Sequence, residues 1–252
     1  MIKTEWYFEY ELVKDRPGLL GEISSLLGML SINIVTINGI ENKRRVMLLL
    51  AEETNIIRLK SILKLVETIK VIKIKKPNLR DRLAVRHGTF ISRDKNNRKI
   101  VRFTRAELGL LVDFMAELYK GDEHKMIGVR GMPRVGKTES IVAASVSANK
   151  RWVFVSSTLL KQTVRNKLFS GEYDEQNIYI IDGVVSKQRA NEEHWQLIRE
   201  IMQLSAVKVI EHPDIFVQGT EYTLDDFNYI IELRTKEDEI IQYDNFGQNE
   251  FL

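Results

Sequence analysis

The chain carries, at residues 125–138, the stretch KMIGVRGMPRVGKT, from which the architecture of the C-terminal half can be predicted. Its first six residues have the short apolar pattern of a buried strand, and residues 137–149, rich in Ala, Val and Ser, are typical of a helix. The loop that connects the strand to the helix begins at Gly131 and ends at Gly136. Glycines permit a tight backbone whose N–H groups surround a phosphate. This order of elements predicts a phosphate-binding site.

The loop fits the Walker A pattern G-x-x-x-x-G-K-[ST] over residues 131–138. In this pattern the lysine ammonium contacts the β- and γ-phosphates of a nucleotide, and the hydroxyl that follows contacts Mg²⁺. We therefore expect Mg²⁺ with ATP or GTP. The candidate nucleotide-binding residues are Gly131, Pro133, Arg134, Val135, Gly136, Lys137 and Thr138.

A strand that ends in an acid follows the loop. Residues 177–182, NIYIID, have the pattern of Walker B, after a strand predicted at 152–156 and a helix predicted at 158–169. Asp182 is expected to hold Mg²⁺ directly or through water, so Thr138 and Asp182 are the candidate metal-binding residues. The alternative is that Asp182 merely ends a buried parallel strand.

With these motifs, the C-terminal half is similar to the additional-strand P-loop ATPases. The resemblance implies a three-layer α/β domain with a mainly parallel sheet. Those ATPases usually place a Glu directly after the Walker B acid to polarise the attacking water, whereas this chain has Gly183. The departure implies slow hydrolysis or a base from elsewhere, such as Glu139, Glu192 or Glu193.

The two residues that directly follow the next predicted strand, 207–210, are further candidates for the nucleotide site. Glu211 or His212 is placed by the pattern where a γ-phosphate is sensed, and the alternative is an ordinary strand end.

The N-terminal 76 residues predict a second α/β module. Residues 5–12 alternate apolar and polar side chains, as a half-buried strand does, and residues 19–30 have apolar side chains three and four apart, as an amphipathic helix does. Two strands around residues 41–43, a helix over 54–69 and a strand over 71–76 complete the order βαββαβ. This is the ferredoxin-like plan.

The turn at residues 15–23, DRPGLLGEI, followed by SINI at 31–34, resembles an ACT domain. That resemblance implies a regulatory small-molecule ligand, often an amino acid, bound between paired domains. The candidate ligand residues are Asp15, Pro17, Gly18, Leu19, Leu20, Asn33 and Ile34. The alternative is that the turn is only a tight turn and the module is a dimerisation surface, and a homo-oligomer is expected in either case.

Domain boundaries follow from where periodicity is lost. Residues 1–76 form the ACT-like domain, residues 77–87 a basic linker, and residues 88–252 the P-loop domain. A hairpin is predicted between residues 89–93 and 100–103, followed by a capping box of Thr104 and Glu107 ahead of a helix.

The net charge of +3 conceals a strong local asymmetry. Residues 70–105, the basic band, contain 13 basic and two acidic residues, whereas residues 221–252 contain nine acidic and two basic ones. A basic band can bind nucleic acid or an acidic partner. The alternatives are a solvated face or a band that binds the protein's own acidic end.

Composition excludes several classes of protein. The chain has no Cys, which excludes disulfides and thiol chemistry, and its four His residues lack the spacing of a zinc site. Its first residues have no signal-peptide pattern and no apolar run approaches the ~20 residues of a membrane span, so a cytoplasmic protein is expected.

The two modules together resemble the YmfK-like family of bacterial proteins, for which no reaction is known to carry over. We expect a metabolite-responsive nucleotide-binding regulator with weak or conditional ATPase activity. The first alternative is a non-enzymatic regulator that binds nucleic acid or an acidic partner through the basic band. A small-molecule kinase is the second alternative, although no acceptor-binding motif supports it.

Overall fold

A computed structural model describes residues 2–121, 123–158, 160 and 163–241. Part of the acidic C-terminal stretch, residues 242–252, lies outside the described residues. The chain divides into two compact units, Met1–Ile91 and Ser92–Leu252.

The first unit has the predicted βαββαβ order. Its elements are β1 (Thr4–Leu12), α1 (Leu19–Met29), β2 (Asn33–Ile40), β3 (Arg44–Ala51), α2 (Glu53–Leu63) and β4 (Ile69–Lys75). The four strands form an antiparallel sheet in the order β2-β3-β1-β4. Alternate residues of β1, among them Trp6, Phe8 and Tyr10, pack with the apolar faces of α1 and α2 to form the core. The ferredoxin-like prediction is confirmed.

The segment predicted as a linker contains a helix, α3 (Leu79–His87). Asn78 caps it, because its side chain accepts a hydrogen bond from the Asp81 N–H while the Asp81 carboxylate accepts one from the Asn78 N–H. The apolar residues of α3 are adjacent, Leu83–Val85, so they lack the spacing that indicates an amphipathic helix. Ala84 and Val85 nevertheless join a buried cluster of the first unit.

The second unit is built on a seven-stranded sheet. Its elements are β5 (Ser92–Arg93), β6 (Ile100–Thr104), α4 (Leu108–Tyr119), β7 (Lys125–Arg130), α5 (Lys137–Ser147), β8 (Trp152–Phe154), β9 (Ser156–Ser157), β10 (Thr163–Val164), β11 (Ile178–Asp182), α6 (Gly183–Arg189), α7 (Glu192–Gln203), β12 (Val207–Glu211), α8 (Pro213–Phe216) and β13 (Tyr229–Arg234). The strand order is β5-β6-β13-β7-β12-β11-β8, and every pairing is parallel except that of β5 with β6. The predicted α/β class with a mainly parallel sheet is confirmed.

Two local predictions in this unit, the hairpin and the capping box, are confirmed, and a predicted helix is wrong. The hairpin is present as β5 and β6, and the capping box is present as a hydrogen bond from the Thr104 N–H to Glu107. The predicted helix at 158–169 is wrong where the chain is described, because residues 163–164 form β10, which pairs with β9.

The neighbouring parallel strands β7, β12 and β11 all end at the same edge of the sheet. Ligands of such sheets bind at this edge.

Candidate functional site

Residues 131–136, the glycine loop, connect the end of β7 to the start of α5. Gly136 precedes the helix with φ +105°, a left-handed conformation that glycine adopts without strain. A Cβ at Gly131 would lie 2.6 Å from the Leu233 carbonyl oxygen and 2.8 Å from the Val135 side chain. Neither position therefore accommodates another residue easily. Arg134, in the same loop, is exposed and has φ +61°.

The Lys137 side chain folds back into the glycine loop. Its Nζ donates hydrogen bonds of 3.0 Å to the carbonyl oxygens of Gly131 and Met132, and the residue is only 7% exposed. Burial lowers the pKa of this ammonium, and nearby carboxylates, first that of Glu211, oppose the shift. A cation is thus held within the loop, next to the first turn of α5, whose N–H groups have no partner within the helix.

Thr138 joins this loop to a neighbouring strand. Its hydroxyl donates a 2.6 Å hydrogen bond to Glu211 Oε1, at the end of β12. Glu211 is 5% exposed, and burial raises the pKa of its carboxyl to about 7, with a further contribution from the negative charge of Asp182. Glu211 is in register with Asp182 on β11 and with Val129 on β7. Two carboxylates therefore lie on adjacent strands beside the start of α5.

Asp182 also serves as the cap of a helix. Its Oδ1 accepts hydrogen bonds from the N–H groups of Val184 (2.9 Å) and Val185 (3.1 Å), at the first turn of α6, and its Oδ2 accepts one from the Thr158 hydroxyl. Its backbone N–H donates to the Ser156 hydroxyl, at 2.8 Å. These contacts fix the carboxylate. A carboxylate has about four lone-pair positions, so they do not prevent it from binding a further donor.

A series of buried, hydrogen-bonded polar side chains leads from Asp182 to His194. The hydroxyls of Ser156 and Ser186 are 2.9 Å apart, and Ser186 Oγ is 3.1 Å from His194 Nε2. The other ring nitrogen of His194 is 2.6 Å from the Arg165 carbonyl oxygen, which can only accept, so Nδ1 carries the proton. Burial lowers the pKa of His194, which keeps the ring neutral. This series joins β9, α6 and α7 to the strand that ends in Asp182.

His212 has an unusual backbone. It follows Glu211 with φ +55° and ψ +57°, a conformation that non-glycine residues rarely adopt, and its N–H donates to the Val129 carbonyl oxygen. Burial lowers the pKa of the imidazole to about 4, and the charge of Lys137 adds to this shift. Residues of this kind cluster at functional sites, although Ser31, Glu41 and Asn149 have the same φ in turns of this chain. A phosphate-sensing role for Glu211 or His212 stays a prediction.

The three sequence candidates for a distant base have different surroundings. Glu139 is exposed on the first turn of α5. Glu192 pairs with Arg199 along α7, and Glu193 accepts a hydrogen bond from Asn166. Glu211, which the sequence indicated only for phosphate sensing, is the carboxylate that contacts the start of α5. The sequence indicates Glu211 only through its position, because it is an acidic residue directly after the strand that follows the predicted Walker B strand.

The predicted regulatory residues occupy two ends of one helix. Asp15, Pro17 and Gly18 are exposed in the turn before α1, where Gly18 has φ +89°, and Leu20 is 50% exposed while Leu19 is buried. Asn33 and Ile34 begin β2, after the other end of α1. A helix of 11 residues separates the two groups by roughly 16 Å. A single copy of the chain does not bring them together.

Several cations of the basic band are paired with carboxylates. Lys75 contacts Asp81, Arg82 contacts Glu5, and Arg102 contacts Glu232. Such pairs reduce the charge that is free to release counterions from a nucleic acid. Binding of nucleic acid or an acidic partner stays a prediction. Neutralising Lys73, Lys75, Lys76 and Arg80 together would test it, because a binding role requires an affinity that falls steeply with salt and is lost in this variant.

Among the residues that the structure describes, no group of three or more His, Cys, Asp or Glu side chains is arranged to hold a metal ion. No helix in the described part of the chain is long and apolar enough to cross a membrane.

Glu211→Gln is expected to make the protein without ligand more stable than the wild type at pH 8. Folding raises the pKa of this carboxyl from 4.5 to about 7, so the wild type loses stability as the pH rises through that interval. Gln does not ionise and escapes this loss, which is on the order of 1–3 kcal/mol.

Urea denaturation in EDTA between pH 4 and pH 8 measures this effect. The advantage of Glu211→Gln is expected to grow across the interval, whereas exposed Glu221→Gln follows the wild type. A difference from the wild type that is independent of pH would contradict the assignment.

The fold and the site together define a two-unit α/β protein. An N-terminal antiparallel sheet is followed by a mainly parallel one, which carries a glycine-bounded loop and two buried carboxylates at its carboxyl edge. The chain belongs to the family described as "Protein of unknown function (DUF3388)", whose model matches residues 71–252.

The sequence is similar to that of a Bacillus subtilis (strain 168) protein described as "Uncharacterized protein YmfK". The two are 66% identical over 246 residues, which cover 97% of this chain and 91% of the relative. The resemblance to the YmfK-like family is confirmed. A solved structure, "Klebsiella pneumoniae BlrP1 pH 8.0 calcium/cy-diGMP complex", matches with a TM-score of 0.23 and 10% identity over 82% of this chain and 74% of that chain. A likeness this weak carries no argument.

Proposed function

We propose that this protein is a metabolite-responsive regulator that binds a nucleoside triphosphate with Mg²⁺. In this proposal the C-terminal unit is a P-loop NTPase-like domain that binds the nucleotide through Gly131–Thr138. The N-terminal unit is an ACT-like domain that binds a small metabolite. The observation that carries the proposal is the buried ammonium of Lys137, held inside the glycine loop at the first turn of α5.

Two sources of positive charge converge on the glycine loop. One is the Lys137 ammonium, and the other is the N-terminus of α5, where free N–H groups and the helix dipole favour an anion. Burying an ammonium is costly unless a partner compensates for it. The two carbonyl oxygens and the nearby carboxylates of Glu211 and Asp182 provide only partial compensation, because burial still lowers the pKa of the ammonium. A phosphate would supply the complementary charge and accept hydrogen bonds from the same groups.

The residues beside the loop suit Mg²⁺. A hydroxyl from Thr138 and a carboxylate from Asp182 are oxygen ligands of the kind that Mg²⁺ prefers, and nucleotide sites usually complete the shell with phosphate and water. Bound there, Mg²⁺ would neutralise charge on the phosphate oxygens. In this arrangement Lys137 binds the phosphates, the glycine loop encloses them, and Asp182 orients the metal.

Slow or conditional hydrolysis is the activity that we propose for this site. The position after Asp182 is Gly183, which has no side chain to act on water. Nucleotide state could then persist long enough to be biased by a second ligand on the ACT-like domain.

The geometry of the first unit supports a homo-oligomer. The two groups of predicted regulatory residues are roughly 16 Å apart across α1, so a small ligand that contacts both would lie between two copies of the chain. The edge strands β2 and β4 are available within this sheet for pairing between copies.

Native mass spectrometry of the full chain, with Mg·ATP or Mg·GTP, tests the proposed function. We expect one nucleotide per chain, a preference between the two bases, loss of the complex in EDTA, and an even-numbered oligomer. Spectra that contain no nucleotide complex at any concentration of either nucleotide would contradict it.

A further inference from the structure

A side chain would clash with the backbone at the position where a P-loop ATPase usually carries its base. A Cβ on Gly183 would lie 2.7 Å from the His212 carbonyl oxygen and 3.0 Å from both the Glu211 carbonyl oxygen and the Phe216 Cβ. Contacts of 2.7 Å to backbone are essentially never observed for real Cβ atoms. The end of β11 is therefore packed against the chain that follows β12, and position 183 has no room for a carboxylate.

The same close approach brings another carboxylate to this edge. Glu211 is the last residue of β12, directly in register with Asp182, and its side chain contacts Thr138 at 2.6 Å. It is buried beside Lys137, with which it interacts electrostatically. Glu211 thus stands one strand away from the usual position of the base, beside the groups that we propose to hold the triphosphate.

The neighbouring carboxylates have other surroundings. The two oxygens of Asp182 accept hydrogen bonds from the first turn of α6 and from Thr158, which fixes their direction. Glu139 is exposed on the first turn of α5. The Glu211 carboxylate, in contrast, accepts its hydrogen bond from the Thr138 hydroxyl, whose oxygen keeps lone pairs for a metal. A carboxylate has further lone-pair positions beyond that one contact, so Glu211 can also accept a proton from a water molecule in the site.

We propose that Glu211 is the proton acceptor for nucleotide hydrolysis in this protein, an inference that rests on the proposed function. The oxygen of a water molecule forms a bond to the γ-phosphorus, and the bond from that phosphorus to the β,γ-bridging oxygen breaks. The bonding electrons remain on the nucleoside diphosphate, and the water proton passes to a Glu211 carboxylate oxygen. In this proposal the catalytic carboxylate is on β12, whereas the P-loop ATPases usually carry it directly after the strand that corresponds to β11.

The test uses the full-length wild type, Glu211→Gln, and, as a matched control, Glu221→Gln, which changes an exposed carboxylate of the same unit. Single-turnover hydrolysis and equilibrium binding of ATP and GTP with Mg²⁺ are measured for each, together with the identity of the nucleotide that stays bound. Thermal melts verify that each variant is folded.

We expect Glu211→Gln to hydrolyse roughly 10²- to 10⁴-fold more slowly, the usual contribution of a general base. Its affinity for the triphosphate stays within about threefold of the wild type, since removal of a base leaves binding intact. The bound nucleotide then remains a triphosphate, whereas Glu221→Gln behaves as the wild type.

Four results would overturn the assignment of Glu211. Wild-type hydrolysis by Glu211→Gln would exclude a base role, and loss of Mg²⁺-dependent binding in this variant would make Glu211 a metal ligand instead. A wild type that binds nucleotide without any turnover would contradict the inference and the proposed slow hydrolysis, but would leave the proposed nucleotide binding standing. A wild type that binds no triphosphate would contradict both.

Discussion

Gly183→Ala is expected to lower the free energy of unfolding by about 1–3 kcal/mol, the usual cost of overpacking a core position. The added methyl group would meet the backbone oxygen of His212 at 2.7 Å, and backbone cannot move aside as a flexible side chain can. For a unit of this size the loss corresponds to roughly 3–10 °C in melting temperature. Calorimetry of the full chain measures it.

Gly109→Ala is the matched control for this substitution. Gly109 lies in α4, and a Cβ there would have nothing within 4 Å. Ala is a better helix former than Gly, so this variant is expected to be unchanged or up to about 1 kcal/mol more stable. Equal melting of Gly183→Ala and Gly109→Ala would contradict the close approach of β11 to the end of β12.

The elements with strong local patterns could be predicted from the sequence. The alternation in β1 and the glycine-bounded turn between β7 and α5 each specify one structure within a short window. Helix α3 could not be predicted, because its apolar residues are adjacent and it is stabilised by packing on the first sheet. The segment predicted as a helix at 158–169 instead forms β10 against β9, a pairing that helical periodicity does not indicate.

In the candidate site, too, some residues could be predicted from the sequence and others could not. Lys137 and Thr138 follow from a local motif, and Asp182 follows from the end of an apolar strand. The place of Glu211 depends on the order of strands in the sheet, because β12 lies between β7 and β11 although it follows both in the chain. Chain order does not reveal that neighbourhood. The reason for Gly183 is likewise visible only as the close approach of two strand ends.

Lys137→Ala is expected to weaken binding of ATP or GTP by roughly 10²- to 10³-fold. Hydrogen bonds to charged groups contribute about 1.5–3 kcal/mol each, and the ammonium is expected to make two of them to phosphate oxygens. At the lower end of that range their loss is about 3–4 kcal/mol, which corresponds to that change in affinity. Lys187, which contacts Gln218 on the surface of the same unit, provides the control, and Lys187→Ala is expected to bind as the wild type.

Equilibrium binding of labelled ATP and GTP with Mg²⁺ to the wild type, Lys137→Ala and Lys187→Ala tests the nucleotide site most directly. We predict saturable binding of one nucleotide per chain to the wild type and to Lys187→Ala, with the affinity of Lys137→Ala reduced at least a hundredfold. Equal binding to all three proteins, or binding to none of them, would contradict it.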